Sequence, residues 1–415
     1  MKLQGMPYIT GTARGRLLEG LSDDPGRQIM VLRRNALQIP SERPAGFLII
    51  DGAPFSHAMI PLLATGVPSV IISTEQSIQL PWDSDVSLDG RTGLVTTHPV
   101  GDEPGRIPAK TSSTKTLDGN EIHLRVSVRN LDALQKAVKA KAEAIGLVRS
   151  EFLLPADGGI PDVDYYRREF GKICEAAASM PITIRLLDVG GDKLPLWLPG
   201  IEGIGGPLGL QGVRLYGQDT IRRVVKAQLA AIDELSIGFD IRALIPFLSS
   251  RDEVLHWTTW VRRELTHAVP LGAMAETPSA ALQIAEWFDL VDFVALGCND
   301  LIQCLFGADR DRSELRDYLD PYAPSLFRFL RQVSLGATEQ LSKIQLCGVL
   351  PQLPGVLPVL LGLGFQIFSV EAASLPHLRQ TLADTSLEQA RSLAQRVCAA
   401  RDTRQVRELR FPRQA

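Results

Sequence analysis

The stretch Val269–Arg310, VPLGAMAETPSAALQIAEWFDLVDFVALGCNDLIQCLFGADR, reads as two strand–loop–helix units in succession. The apolar run Val269–Ala275 stops at Glu276-Thr277-Pro278, where Pro278 suits the first turn of a helix. Ala281, Ile284, Ala285 and Phe288 then recur at helical spacing within Ala280–Leu290. A second apolar run, Val291–Leu296, stops at Gly297-Cys298-Asn299-Asp300 before another helical pattern. Each strand therefore delivers a carboxylate at its carboxyl end, Glu276 from the first and Asp300 from the second. If the strands are neighbours in a parallel barrel, both acids meet at the face where such barrels keep their active sites. Two hard oxygen ligands with open positions suit Mg²⁺, which usually keeps substrate phosphate and water in its remaining sites. Arg310, ten residues past Asp300, is placed to reach an anion held by that metal. On these residues alone a blander reading stays open, with Glu276 capping a helix and Asp300 a loop acid.

The 415 residues exceed one ordinary domain, and a barrel plus a smaller domain would account for them. A hydrophobic content of 45% and a charged content of 22% are those of a globular protein. The net charge of −3 carries no nucleic-acid or membrane footprint. No apolar run reaches the roughly 18–20 residues needed to span a bilayer, and MKLQGMPYITG lacks a signal-peptide core. Five scattered cysteines argue against a disulfide framework and fit a reducing cytoplasm.

Residues 1–95 are rich in Gly, Pro and short β-type runs, around Gly15-Arg-Leu-Leu-Glu, Gly46-Phe-Leu-Ile-Ile, Val67–Ile72 and Val86-Ser-Leu-Asp. One helical segment is expected from Ser56 to about Thr65, with Ser56 as its cap and His57 in its first turn. A histidine at a helix start sees backbone N–H groups and the positive end of the dipole, a setting that favours a bound or covalent phosphate. Imidazole is also a competent nucleophile. A plain surface histidine is the alternative. Residues 96–118 carry three prolines and no periodicity, and read as a linker. Fully extended, it spans about 75 Å at roughly 3.3 Å per residue. From Asn120 the pattern alternates: strands near 121–128, 145–149, 182–187, 241–246, 344–349 and 366–369 join the two above, with helices between. Eight such units over 119–415 predict an α/β fold with a C-terminal (β/α)₈ TIM barrel.

MAETPSAAL followed by LGCNDLIQ and ADR resembles the phosphoenolpyruvate-binding barrel of the PEP-utilising enzymes, the family of Enzyme I of the sugar phosphotransferase system, phosphoenolpyruvate synthase and pyruvate phosphate dikinase. The segment DGAPFSHAMIPLLATGVPSV is similar to that family's phosphohistidine loop, through Gly52, Ser56, His57, Ile60, Gly66, Val67 and Pro68. The resemblance implies that residues 1–95 form a small swivelling phosphohistidine domain with His57 as phosphoacceptor. Ile145-Gly-Leu-Val-Arg-Ser-Glu-Phe and Arg185-Leu-Leu-Asp-Val-Gly-Gly-Asp-Lys resemble two further family segments. They imply anion-binding roles for Arg149 and Lys193, while Arg242 stands where the family has a substrate-binding Arg. Asn299 belongs to the segment corresponding to Gly-Thr-Asn-Asp-Leu, and Leu346-Cys-Gly implies Cys347 as the acid that protonates C3 of enolpyruvate.

Departures from the family pattern are few. Ala53, Phe55 and Leu63 replace a Gly, a Thr and an Arg of the phosphohistidine loop. Gln211 stands where a phosphate-binding Arg is expected, with Arg214 retained, and Val349 replaces a Glu after Cys347-Gly348. A lost charge-assisted hydrogen bond costs about 1.5–3 kcal/mol. Only Leu21–Ala45 occupies the place of Enzyme I's phosphocarrier-binding helical domain, and no P-loop pattern is present. The implied function is Mg²⁺-dependent phosphotransfer from phosphoenolpyruvate to His57 and on to an unnamed acceptor, protein or small molecule, with release of pyruvate and a barrel-mediated homodimer. Two alternatives stand beside it: a phosphoenolpyruvate-binding regulatory module with weak or no turnover, and a barrel enzyme acting on another phosphorylated or 2-oxo acid.

Overall fold

The computed structural model describes residues 1–34, 37–99, 113–190, 194–195, 197–198, 206 and 208–410. Most of the expected linker and Lys193 lie outside them. The amino-terminal strands are β1 (Lys2–Gln4), β2 (Met6–Ile9), β3 (Thr12–Glu19), β4 (Gln28–Arg33), β5 (Gly46–Ile50), β6 (Ser69–Ile72), β7 (Asp85–Asp89) and β8 (Leu94–Thr96). They form one sheet in the order β1-β8-β7-β3-β4-β5-β6-β2. Its centre, β3 to β6, is parallel and its flanks are antiparallel. The strand β4, QIMVLR, is almost wholly buried, although it falls in the short segment read from sequence only as filling a gap.

Eight further strands close a parallel barrel: β9 (His123–Val128), β10 (Ile145–Arg149), β11 (Ile182–Arg185), β12 (Ile241–Leu248), β13 (Leu271–Ala275), β14 (Phe293–Gly297), β15 (Ile344–Cys347) and β16 (Ile367–Val370). The expected (β/α)₈ barrel is therefore present, closed by β16 lying against β9. Strands β13 and β14 are buried along their whole length, as parallel strands covered by helices must be. Register then determines what meets at the carboxyl ends. Ala275 lies opposite Leu296, Gly297 opposite Cys347 and Arg149 opposite Arg185. Residues just beyond these pairs share one layer.

The segment carrying His57 differs from expectation. Only Ile60–Leu63 is helical, and His57 sits in the turn before it. Ser56 does not cap; its hydroxyl donates to the Ala53 carbonyl at 2.9 Å, and its own carbonyl accepts from the Met59 and Ile60 amides. Packing explains the difference. Ala53, Phe55, Met59, Leu62 and Leu63 are all buried, so tertiary contacts outweigh a marginal local propensity. Tyr8, buried beneath, donates to the Met59 carbonyl at 2.9 Å and anchors the turn. Phe55, Met59 and Leu62 belong to the same contiguous apolar cluster as the barrel side chains.

Candidate active site

A cavity of about 340 Å³ opens at the carboxyl ends of the barrel strands. His57, from the amino-terminal sheet, lines it together with Arg149, Gln211, Glu276, Asn299, Asp300, Arg310 and Cys347 from the barrel. Eight side chains singled out in the sequence thus share one cleft. Arg242 does not. It is the second residue of β12, level with Thr183, so it lies at the amino end of its strand, where it pairs with Asp240 at 3.7 Å. Strand polarity is the reason: the cleft lies at the carboxyl ends, and Arg242 stands at the opposite end of its strand.

Glu276 follows β13 directly and is 3% exposed. One carboxylate oxygen accepts from the Phe247 amide at 3.2 Å. Phe247 is in the left-handed region, φ 53°, a strained choice for an aromatic residue and one that interrupts the β12–β13 register. The other oxygen lies over Gly297, only 2.5 Å from where a Cβ would stand. A side chain at 297 would displace the carboxylate. Burial, followed by Asp300 and Asp188, pushes the Glu276 pKa well above the usual carboxylate range, against the pull of Arg185. Asp300 lies in the first turn of the helix Cys298–Phe306, not in a loop.

A buried carboxylate and a half-buried one that repel each other are a poor structural arrangement and a good cation site. Among the described residues no group of three or more His, Cys, Asp or Glu forms a metal site. That set of two acids fits Mg²⁺, which would take its remaining ligands from substrate and water.

Arg310 is 6% exposed and reaches three partners. It contacts Asp300 at 3.2 Å, the Phe55 carbonyl at 3.3 Å and His57 Nε2 at 3.0 Å. Its own amide donates to Gln303 at 2.9 Å. Asp311 accepts from His57 twice, from Nδ1 at 2.8 Å and from the backbone amide at 2.9 Å. Burial alone would raise the Asp311 pKa, but the hydrogen bonds from His57 and the charge of Arg310 hold it down to about 2.

On the other side, Arg149 stacks on Phe152 and pairs with Glu151 at 3.0 Å. Arg185, quoted in a sequence motif but given no role there, is a buried lining residue, clamped by Glu151 and Asp188, each at 2.7 Å. Burial pulls its pKa down, yet Asp188, Glu151, Glu276 and Asp300 outweigh that and raise it. The signal for Arg185 was available, since it ends β11 as Arg149 ends β10. Gln211 faces Gly190, which has no side chain to crowd it. Arg214 is turned elsewhere, stacked on Phe247 at 4.8 Å and bonded to Ser249 at 3.2 Å. Cys347 closes the floor; Gln345 donates to its sulfur at 3.2 Å, and burial pushes the thiol pKa up to about 12. Asn299 braces the turn after it by accepting from the Val349 amide at 3.0 Å. Gly348, φ 108°, is needed there because a Cβ would stand 2.7 Å from the Asn299 oxygen.

Residues 106–387 match the family described as PEP-utilising enzyme, PEP-binding domain. Among curated proteins, the phosphoenolpyruvate-protein phosphotransferase of Streptomyces coelicolor is 31% identical over 377 residues, covering 87% of this chain and 67% of that protein. Its counterpart in Haloferax volcanii is 26% identical, covering 95% and 75%. Multiphosphoryl transfer protein 2 of Escherichia coli is 27% identical over 90% of this chain, which spans 48% of that protein's length. With a family match over more than half its length and a relative of this identity, the chain belongs to the PEP-utilising enzymes.

Proposed function

We propose that this protein transfers the phosphoryl group of phosphoenolpyruvate to His57 Nε2, releases pyruvate, and passes the phosphoryl group on to a separate protein. The observation that carries this reading is the shared cleft: His57 from one domain lines the same cavity as Glu276, Asp300, Arg310 and Cys347 from the other. The names of the Streptomyces and Haloferax relatives support a protein as acceptor.

Glu276 and Asp300 would hold Mg²⁺, which when bound neutralises charge on the phosphate and orients it. Arg149, Arg185 and Arg310 then offer planar donors to the carboxylate and phosphate of the substrate. The Nε2 lone pair attacks phosphorus in line, the P–O bond to the enol oxygen breaks, and its electrons form the enolate. Cys347, still protonated at neutral pH because of its burial, delivers a proton to C3, giving pyruvate. A swing of residues 1–95 on the connecting segment would carry phosphohistidine out to its acceptor. A homodimer through the barrel belongs to this reading as well. The five free cysteines support a reducing, cytoplasmic setting. Gln211 at the cleft wall favours one second reading, a binding module with slow turnover.

Incubation with ³²P-labelled phosphoenolpyruvate and Mg²⁺ tests both. The expected result is acid-labile label on the protein and stoichiometric pyruvate, both abolished by His57→Ala while phosphoenolpyruvate still binds. Label on another residue in that variant overturns the phosphohistidine reading. Binding without label in the wild type selects the slow module.

A further inference from the structure

The segment after the helix Cys298–Phe306 does more than carry Arg310. Arg310, Asp311 and Arg316 each take hold of a different part of the His57 turn or its approach: the Phe55 carbonyl and His57 Nε2, His57 Nδ1 and its amide, and Asp51 respectively. The approach is held from its own domain as well, since the Asp51 carboxylate also accepts from the Thr74 amide at 3.0 Å. Asp311 itself is positioned by its amide, which donates to Asp309 at 2.9 Å, and by its carbonyl, which accepts from Arg34.

These contacts decide the tautomer of His57. An arginine guanidinium has donors and no acceptor. Arg310 lies 3.0 Å from His57 Nε2, so Nε2 must present its lone pair there. The proton of the neutral ring is then on Nδ1, and Asp311 accepts it at 2.8 Å. The two contacts, on opposite ring nitrogens and from adjacent residues, require the same assignment. The second carboxylate oxygen takes the His57 backbone amide, so one side chain holds both the ring and the main chain of the nucleophile.

We propose that Asp311 is the positioning residue of the phosphoryl-transfer step: it holds His57 as the Nδ1–H tautomer and thereby makes Nε2 the phosphoryl acceptor. The inference rests on the phosphohistidine reading above. In this tautomer the Nε2 lone pair forms the N–P bond while the enol P–O bond breaks, and no proton need leave the ring. The Nδ1 proton stays on Nδ1, so the phosphorylated ring carries a formal positive charge, which the Asp311 carboxylate faces at 2.8 Å. In the other tautomer Nε2 carries the proton, and attack would require its removal to a base. Arg310 exchanges its bond to Nε2 for one to a phosphate oxygen as the substrate enters. A carboxylate that only latched the two domains together would give none of this.

The test uses the full chain labelled with ¹⁵N-histidine, read by long-range ¹H–¹⁵N correlation at neutral pH. The chain has six histidines, so His57→Gln identifies the relevant signals. The expected result is an Nδ1–H pattern for His57, reverting toward Nε2–H in Asp311→Ala. Asp311→Asn keeps an acceptor for Nδ1–H and should retain much of the pattern. With labelled phosphoenolpyruvate, phosphorylation in Asp311→Ala should slow roughly ten- to hundredfold, the worth of one hydrogen bond to a charged group. Phosphoenolpyruvate affinity should stay within about twofold, and Asp311→Asn should recover part of the rate. The ³¹P–¹⁵N coupling should put the phosphoryl group on Nε2. An Nε2–H pattern in the wild type, phosphate on Nδ1, or unaltered tautomer and rate in Asp311→Ala would each overturn the proposal. An Nδ1–H pattern lost in Asp311→Ala, in a wild type that takes no label, would support the positioning role and overturn the phosphotransfer reading instead.

Discussion

Gly297→Ala is the sharpest probe of the carboxylate pair, because it adds one methyl group and removes neither acid. Gly297 has φ −82°, which alanine adopts without strain, so the backbone offers no objection. The objection is steric. The new Cβ would stand 2.5 Å from a Glu276 carboxylate oxygen, 2.7 Å from its Cγ and 2.9 Å from its Cδ. Restoring ordinary contact requires a shift of about 1 Å. Glu276 cannot yield freely, because it is 3% exposed and its other oxygen is tied to the Phe247 amide. Overpacking of this kind costs about 1–3 kcal/mol of stability. Misplacing a reacting or metal-holding group by about 1 Å costs on the order of 100-fold in rate. We therefore expect Gly297→Ala to fold, to lose a modest part of its stability, and to form pyruvate about 100-fold more slowly with weakened Mg²⁺ dependence. Gly272→Ala is the control. Its Cβ would meet the Phe293 ring at 2.4 Å, an equal overpacking that touches no acid. It should lower thermal stability and leave turnover per folded molecule unchanged. Wild-type turnover and Mg²⁺ half-saturation in folded Gly297→Ala would refute the assignment of Glu276.

Other outcomes follow from the same geometry. The raised pKa of Glu276, caused by burial and then by Asp300 and Asp188, makes metal-free stability greatest below the ordinary glutamate pKa of about 4.3. It falls as pH rises through the folded value, because the unfolded chain ionises first. Mg²⁺ should cancel that fall and release protons on binding near neutral pH. Heats of Mg²⁺ binding that are the same in buffers of different ionisation enthalpy would contradict this. Gln211→Arg should tighten phosphoenolpyruvate binding roughly tenfold or more, since Arg214 is engaged with Phe247 and Ser249; unchanged or weaker binding by calorimetry would show a pocket shaped for another ligand. Cys347→Ser should slow exchange of the pyruvate methyl protons with deuterium oxide about 100-fold or more. Wild-type exchange would place the acid elsewhere.

The barrel was legible because its strands are short apolar runs ended by chemistry-bearing residues, so that Glu276, Arg149 and Cys347 could be assigned to strand ends before any pairing was known. Arg242 shows where that logic fails without direction. The run Ile241–Leu248 is longer than the strand expected, and Arg242 stands at its beginning. Arg185 ends β11 and carries the same signal as Arg149 at the end of β10. The His57 turn has the local pattern of a helix start, and that pattern carries no information on how tightly Phe55 and Met59 are enclosed. Asp311 had no signal at all: an acid beside Arg310 in a polar loop looks ordinary, and its partner is 254 residues away. Contacts made across two domains leave no trace in periodicity.

The charges of the cleft connect these features. Its described lining carries the carboxylates of Asp188, Glu276, Asp300, Asp309, Asp311 and Glu371 against the guanidiniums of Arg149, Arg185 and Arg310. Most of that positive charge is already engaged: Arg149 and Arg185 with Glu151, Arg185 also with Asp188, and Arg310 with Asp300. A multiply charged anion entering such a cavity would be repelled unless a cation came with it. On the proposed reading, Mg²⁺ held by Glu276 and Asp300 would change that balance twice over. The two acids would be neutralised directly, and Asp300, once it held the metal, would leave Arg310 to the substrate phosphate. Arg310 would then leave Nε2, the nitrogen proposed to attack, while Asp311 keeps the ring in place from the opposite side. One guanidinium would thus link occupancy of the metal site, arrival of the anion and exposure of the nucleophile, because the chain sets Arg310 and Asp311 side by side.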